Sequence, residues 1–139
     1  MKKMKIFIIC SKVFYDKIPD IKKTLEAGGH QITLPNSYDD PATEARYRDL
    51  GTQEHAKWKA GMLKRSTDVI EINDGVLVLN FEKNGIKNYI GGATFLEMYD
   101  AFRLNKKIFL YNDIPDGILR DEIVGFSPLV VNGDLDKVN

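Results

Sequence analysis

Gly75–Asn80 reads GVLVLN, four consecutive aliphatic residues between Asp74 and a polar loop, closed by an asparagine. An apolar run without alternation needs cover on both faces, and strands of that kind belong to parallel sheets layered between helices. Lys5–Cys10 (KIFIIC) has the same character, with β-branched residues in an unbroken apolar run. Between the two runs, residues 16–27 place Ile18, Ile21 and Leu25 at helical spacing and end in Gly28-Gly29, a helix stop. His30–Leu34 is a short second strand closed by Pro35-Asn36. NSYDDPATE then supplies loop chemistry, with Pro41 placed for a first helical turn after Asp40. A long helical region, Ala42–Ile72, carries Tyr47, Leu50, Trp58, Met62 and Leu63; Gly51 and Gly61 predict bends, so it is one kinked helix or two.

Downstream of GVLVLN the alternation continues. FEKNGIKNYIGG is a loop with an Asn84-Gly85 turn. Thr94–Leu104 is amphipathic through Phe95, Met98, Tyr99 and Phe102, Lys106–Tyr111 is another buried strand, and a helix (Ile118–Val124) and a strand (Leu129–Val131) follow. Five strands separated by helices predict an α/β fold: a single flavodoxin-like or Rossmann-like domain over residues 1–139, its parallel sheet in the order 2-1-3-4-5 with helices on both faces. Ligands of such sheets sit beyond the carboxyl ends of the strands. That selects Cys10–Tyr15, Pro35–Asp40, Asn80–Thr94 and Asn112–Pro115 as candidate site loops.

Bulk properties narrow the partners. With 139 residues the chain suits one domain that buries about two-thirds of its unfolded surface. Twenty basic residues balance twenty acidic ones, which gives no electrostatic reason to expect a nucleic acid polymer or an anionic membrane. A hydrophobic content of 43% is too high for a disordered chain. The apolar run after MKKMK is too short for a secretory signal, and the one cysteine, Cys10, has no partner for a disulfide, so the expected location is cytoplasmic. No Cys/His cluster has metal spacing, and no metal or cofactor is expected.

Glu97 stands apart. It is a carboxylate between Leu96 and Met98, shortly after Gly91-Gly92 and at the predicted carboxyl end of the third strand. One reading is structural: Thr94-x-x-Glu97 matches a capping box, in which hydroxyl and carboxylate satisfy a helix's first turn. The other is chemical: Gly91 and Gly92 let backbone approach a ligand where the sheet opens, and an N-terminal helical turn favours an ionised carboxylate.

The succession DGVLVLN (74–80), polar loop and GGATFLEMYDAFRLNKKIFLYN (91–112) resembles the nucleoside 2-deoxyribosyltransferase family and its nucleotide N-glycoside hydrolase relatives. There a strand ending in a polar residue leads into a Gly-Thr-x-x-Glu helix start, followed by a Gly-Lys-Pro approach to the next strand. This chain has Asn105-Lys106-Lys107 at that point. The resemblance covers about a third of the chain. It implies cleavage or transfer at the N-glycosidic bond of a nucleoside or nucleotide, Glu97 as nucleophile, and a homo-oligomer that builds its sites at subunit contacts.

Around Glu97, the candidate substrate-binding residues are Ser11, Phe14, Tyr15, Asn80, Gly91, Gly92, Thr94 and Asn112. Ser11 follows the first strand, and Phe14 and Tyr15 are available to stack on a base, the alternative being a core aromatic pair. Asn80 either bonds the substrate or its own loop, and it cannot act as the acid that relatives often carry there. Asp74 is a turn or cap residue. His30 and His55 are read as structural, and Trp58 with Met62 as a helix stripe packed against the sheet or a partner, a core pattern more than a ligand box. CSKVFYDK lacks a glycine-rich phosphate cradle, although Lys12, Lys64, Arg65 and Lys87 supply charge. The rival from another class is a non-catalytic nucleotide-binding or sensing domain of the same fold. A receiver or FMN domain fits the topology but lacks the acidic cluster and the Ser/Thr-rich phosphate loop.

Overall fold

The structure, a computed structural model, describes residues 2–139. Five strands form one all-parallel sheet: β1 (Lys5–Ile9), β2 (Gln31–Thr33), β3 (Gly75–Val78), β4 (Lys107–Leu110) and β5 (Leu129–Val130), in the spatial order β2-β1-β3-β4-β5. This is the order expected from the sequence. Each crossover is helical: α1 (Ile18–Ala27), α2 (Thr43–Leu50) with α3 (Thr52–Glu71), α4 (Gly92–Arg103) and α5 (Arg120–Gly125).

Strand alternation divides the apolar residues between two faces. Ile6, Ile8, Leu77, Leu79 and Phe109 pack on one side against Ile18, Ile21 and Leu25 of α1. Phe7, Ile9, Val76, Val78, Ile108 and Leu110 pack on the other against Ile70 of α3, Met98 and Ala101 of α4 and Ile123 of α5. Every residue of β3 is buried, so GVLVLN is the strand with helices on both faces. Burying one such aliphatic side chain contributes about 1.5–3 kcal/mol, and the central strands therefore anchor the molecule. Gly75 allows the third and fourth strands to meet: a Cβ there would lie 2.7 Å from the Lys107 carbonyl oxygen.

Several boundaries differ from expectation, each for a local reason. The first helix begins at Ile18, with Pro19 in its first turn, and a 3₁₀ segment, Lys12–Lys17, brings the chain to it from Ser11. The long helical region is two helices broken at Gly51, whose φ of 132° and ψ of 165° suit only glycine. Gly61 lies inside α3 and does not interrupt it. The helix expected from Thr94 starts two residues earlier, at Gly92. That shift decides how Glu97 is placed.

Candidate active site

A cavity of about 310 Å³ opens at the carboxyl edge of the sheet, above β1 and β3. Four sets of residues enclose it. Cys10, Ser11, Lys12 and Tyr15 follow β1, and Pro35, Asn36 and Ser37 follow β2. Trp58, Lys59, Met62, Leu63 and Ser66 project from α3, while Gly91, Gly92, Ala93, Thr94 and Glu97 come from the start of α4, with Pro41, Glu44 and Lys83 at its border.

Because α4 begins at Gly92, with Gly91 as N-cap and no side-chain capping bond, Glu97 lies in the second turn and does not close a capping box with Thr94. Thr94 is instead buried beside it in the cavity wall. Long helical side chains lean toward the helix N-terminus, and here that carries the Glu97 carboxylate to the cavity. Its Oε2 accepts a hydrogen bond from Ser66 Oγ of α3 at 2.8 Å. One residue on, Thr67 Oγ1 donates to Asp100 Oδ2 at 2.7 Å. Two neighbouring hydroxyls of α3 thus hold two carboxylates one turn apart on α4.

Burial pushes the Glu97 carboxyl up to about 7; the Ser66 hydrogen bond opposes the rise, the Asp100 charge adds to it and Lys59 offsets part of it. The sequence favoured a carboxylate kept ionised by the helix N-terminus. The structure corrects this: desolvation outweighs a helix end one turn away. Near neutral pH the group exists in both forms, the condition for a side chain that exchanges roles in a reaction. Cys10 is raised to about 12 by burial and by Glu97, and the Tyr15 hydroxyl is raised by burial, Cys10, Glu97 and Glu44, so both stay protonated.

On the far wall, Glu44 accepts from His55 Nε2 at 2.9 Å and pairs with Lys59 at 2.9 Å and Arg48 at 3.3 Å. Burial alone would raise its carboxyl, but the bonds from His55 and Lys59 outweigh that and hold it below the usual range. The indole of Trp58 lies nearly parallel to the rings of Tyr47 (5.8 Å, 19°) and His55 (6.3 Å, 18°). This rigid stack ties α2, which buries no residue of its own, to the cavity wall.

Of the residues singled out from sequence, Ser11, Tyr15, Gly91, Gly92, Thr94 and Glu97 meet in the cavity. Three do not. Phe14 is buried edge-on against Phe81 (5.7 Å) and Tyr89 (6.5 Å), so its ring has no face to offer a base. Asn80 is fully buried and clamps the β4 loop: its Nδ2 donates to the carbonyls of Asn112 (3.1 Å) and Asp113 (2.9 Å), and its Oδ1 accepts from Asn112 N–H (2.9 Å). Asn112 returns the contact through Nδ2 to the Asn80 carbonyl (3.1 Å). The two asparagines tie the end of β3 to the loop after β4, and neither lines the cavity.

Asp74 accepts from Lys5 N–H at 2.8 Å, joining β3 to β1, and His30 Nδ1 accepts from Met4 N–H at 3.0 Å. Trp58 and Met62, assigned to the core by spacing, are cavity wall. Sequence reasoning passed over Lys59 and Ser66, and reached Asn36 only as part of the candidate loop Pro35–Asp40. For Ser66 one signal existed: it falls between Met62 and Ile70 at four-residue spacing, a hydroxyl on the inward stripe of α3.

Comparison with known protein families, with characterised proteins and with solved structures gives no match. Among the described residues there is no group of three or more His, Cys, Asp or Glu able to hold a metal ion, and no helix is long and apolar enough to cross a membrane.

Proposed function

We propose that the protein cleaves or transfers the N-glycosidic bond of a (deoxy)nucleoside or nucleotide, with Glu97 as the nucleophile. The observation that carries this reading is a carboxylate tuned near neutrality, anchored by one oxygen and set in a cavity within the about 300–1,000 Å³ range of small-molecule sites. The ionised carboxylate attacks the anomeric carbon, forming a C1′–O bond as the C1′–N bond breaks, and the base leaves with the bonding pair. Water or a second base then attacks the same carbon and returns Glu97 as a carboxylate. Trp58, Met62 and Tyr15 supply the apolar faces against which a base stacks. Asn80 takes no part, so the leaving base draws its proton from solvent or from Lys12, Lys59 or Lys83 at the cavity.

The test is chromatographic. Each common deoxynucleoside and its 5′-monophosphate is incubated with the protein, alone and with a second free base. Release of base, or exchange in the second case, is expected from the native chain and not from Glu97→Ala. Release that persists in the variant refutes the mechanism, and a nucleotide that raises the melting temperature while remaining intact supports a binding domain instead.

A further inference from the structure

We propose that Asn36 is a positioning residue for Glu97, acting through Ser66: by donating to the Ser66 oxygen it fixes that hydroxyl's only proton on the Glu97 carboxylate. This rests on the reading of Glu97 as the reacting group.

Asn36 Nδ2 donates to Ser66 Oγ at 2.8 Å, and Ser66 Oγ donates to Glu97 Oε2 at 2.8 Å. The relay runs from the loop after β2, across α3, to α4. A serine hydroxyl has one proton and two acceptor lone pairs, so a donor arriving at its oxygen leaves the proton to point elsewhere. In a helix the competing acceptor is the carbonyl four residues back, and the neighbouring Thr67 does reach the Leu63 carbonyl at 3.5 Å. Ser66 is buried, and among the described residues no side chain other than Asn36 and Glu97 bonds its hydroxyl. Asn36 therefore selects between two orientations of one hydroxyl.

The remaining groups facing Glu97 do not replace this bond. Asp100 on its own helix and Lys59 on α3 act on it only through their charges, and Cys10 and Tyr15 after β1 stay protonated and uncharged beside it. Ser66 is the one side chain that donates to the carboxylate among the described residues, and it occupies Oε2 and not Oε1. Asn36 also lines the cavity, between Pro35 and Ser37, so the same loop borders the substrate and orients the group that attacks it.

The test reads Glu97 directly and needs no substrate. In protein carrying ¹³C-labelled glutamate, the side-chain carboxyl signal of Glu97, assigned by its loss in Glu97→Gln, is followed against pH. From a native midpoint of about 7, Asn36→Ala and Ser66→Ala are each expected to raise the midpoint by about one pH unit, the equivalent of a charge-assisted hydrogen bond. The double variant is expected to rise no further, because both changes break the same link. Asn36→Asp keeps the shape but cannot donate, and is expected to raise the midpoint as well. A native midpoint in Asn36→Ala, or additive shifts in the double variant, overturns the relay. A protein that shows the expected pattern yet releases no base keeps the relay and loses the glycosidic reading.

Discussion

Replacing Asn80 separates a structural clamp from a substrate contact. The side chain is fully buried and makes three hydrogen bonds to the chain after β4. Asn80→Ala removes the partner of two carbonyls and one N–H on Asn112 and Asp113. At about 1 kcal/mol each, the loss is about 3 kcal/mol, a large part of the 5–15 kcal/mol typical of a domain. Asn80→Asp behaves differently. Its carboxyl still accepts from Asn112 N–H but faces two carbonyl oxygens at about the same separations, so the folded protein binds a proton more tightly than the unfolded chain does. The penalty therefore grows as pH rises from about 4 and reaches roughly 4 kcal/mol by pH 7, with partial recovery at pH 5. Urea unfolding followed by far-ultraviolet circular dichroism at the two pH values measures both effects. The argument fails if both variants unfold within about 0.5 kcal/mol of the native chain while losing ligand binding, since Asn80 would then serve the substrate.

Three further outcomes follow from the site. The folded protein holds the Glu97 carboxyl at about 7, above its ordinary value of 4.5, so ionisation weakens the fold progressively from about pH 4.5 through 7. Glu97→Gln removes that cost and should be more stable than the native chain by about 3 kcal/mol at pH 8.5, with no gain at pH 4, as read by chemical denaturation. Asp100 raises the Glu97 carboxyl, so Asp100→Asn should move the acidic limb of the base-release rate to lower pH, visible in a pH–kcat/KM profile. Trp58→Ala removes a stacking face and should weaken nucleoside binding about ten-fold or more by calorimetry, while the Glu97 titration stays in place.

The sheet was legible because its strands are short aliphatic runs that admit no other burial: GVLVLN has no polar face to expose, and all of β3 is covered. The helix boundaries were less so. Thr94-x-x-Glu97 imitates a capping box, but Gly91 and Gly92 let the backbone coil two residues sooner, and that displacement turns Glu97 from a cap into a cavity residue. For α2, Tyr47 and Leu50 gave an apolar period although neither is buried, because the helix packs on α3 alone through the aromatic stack. Trp58 and Met62 have the spacing of core residues for a related reason, since a cavity wall is apolar just as a core is. Asn80 and Phe14 were misplaced in the opposite sense. Proximity to a strand end says where a residue sits but not which way its side chain turns, and that direction is set by neighbours distant in sequence, Asn112 for one and Tyr89 for the other.

The claim that Glu97 forms a bond to the sugar is tested most directly by trapping that bond. A nucleoside whose sugar carries fluorine at C2′ in the arabino configuration slows release from a carboxylate, and intact-protein mass spectrometry then reads the adduct. The account predicts one added glycosyl group on the peptide containing Glu97 and none on Glu97→Gln. Base released by the native chain without any adduct, or an adduct that persists when Glu97 is replaced, would contradict it.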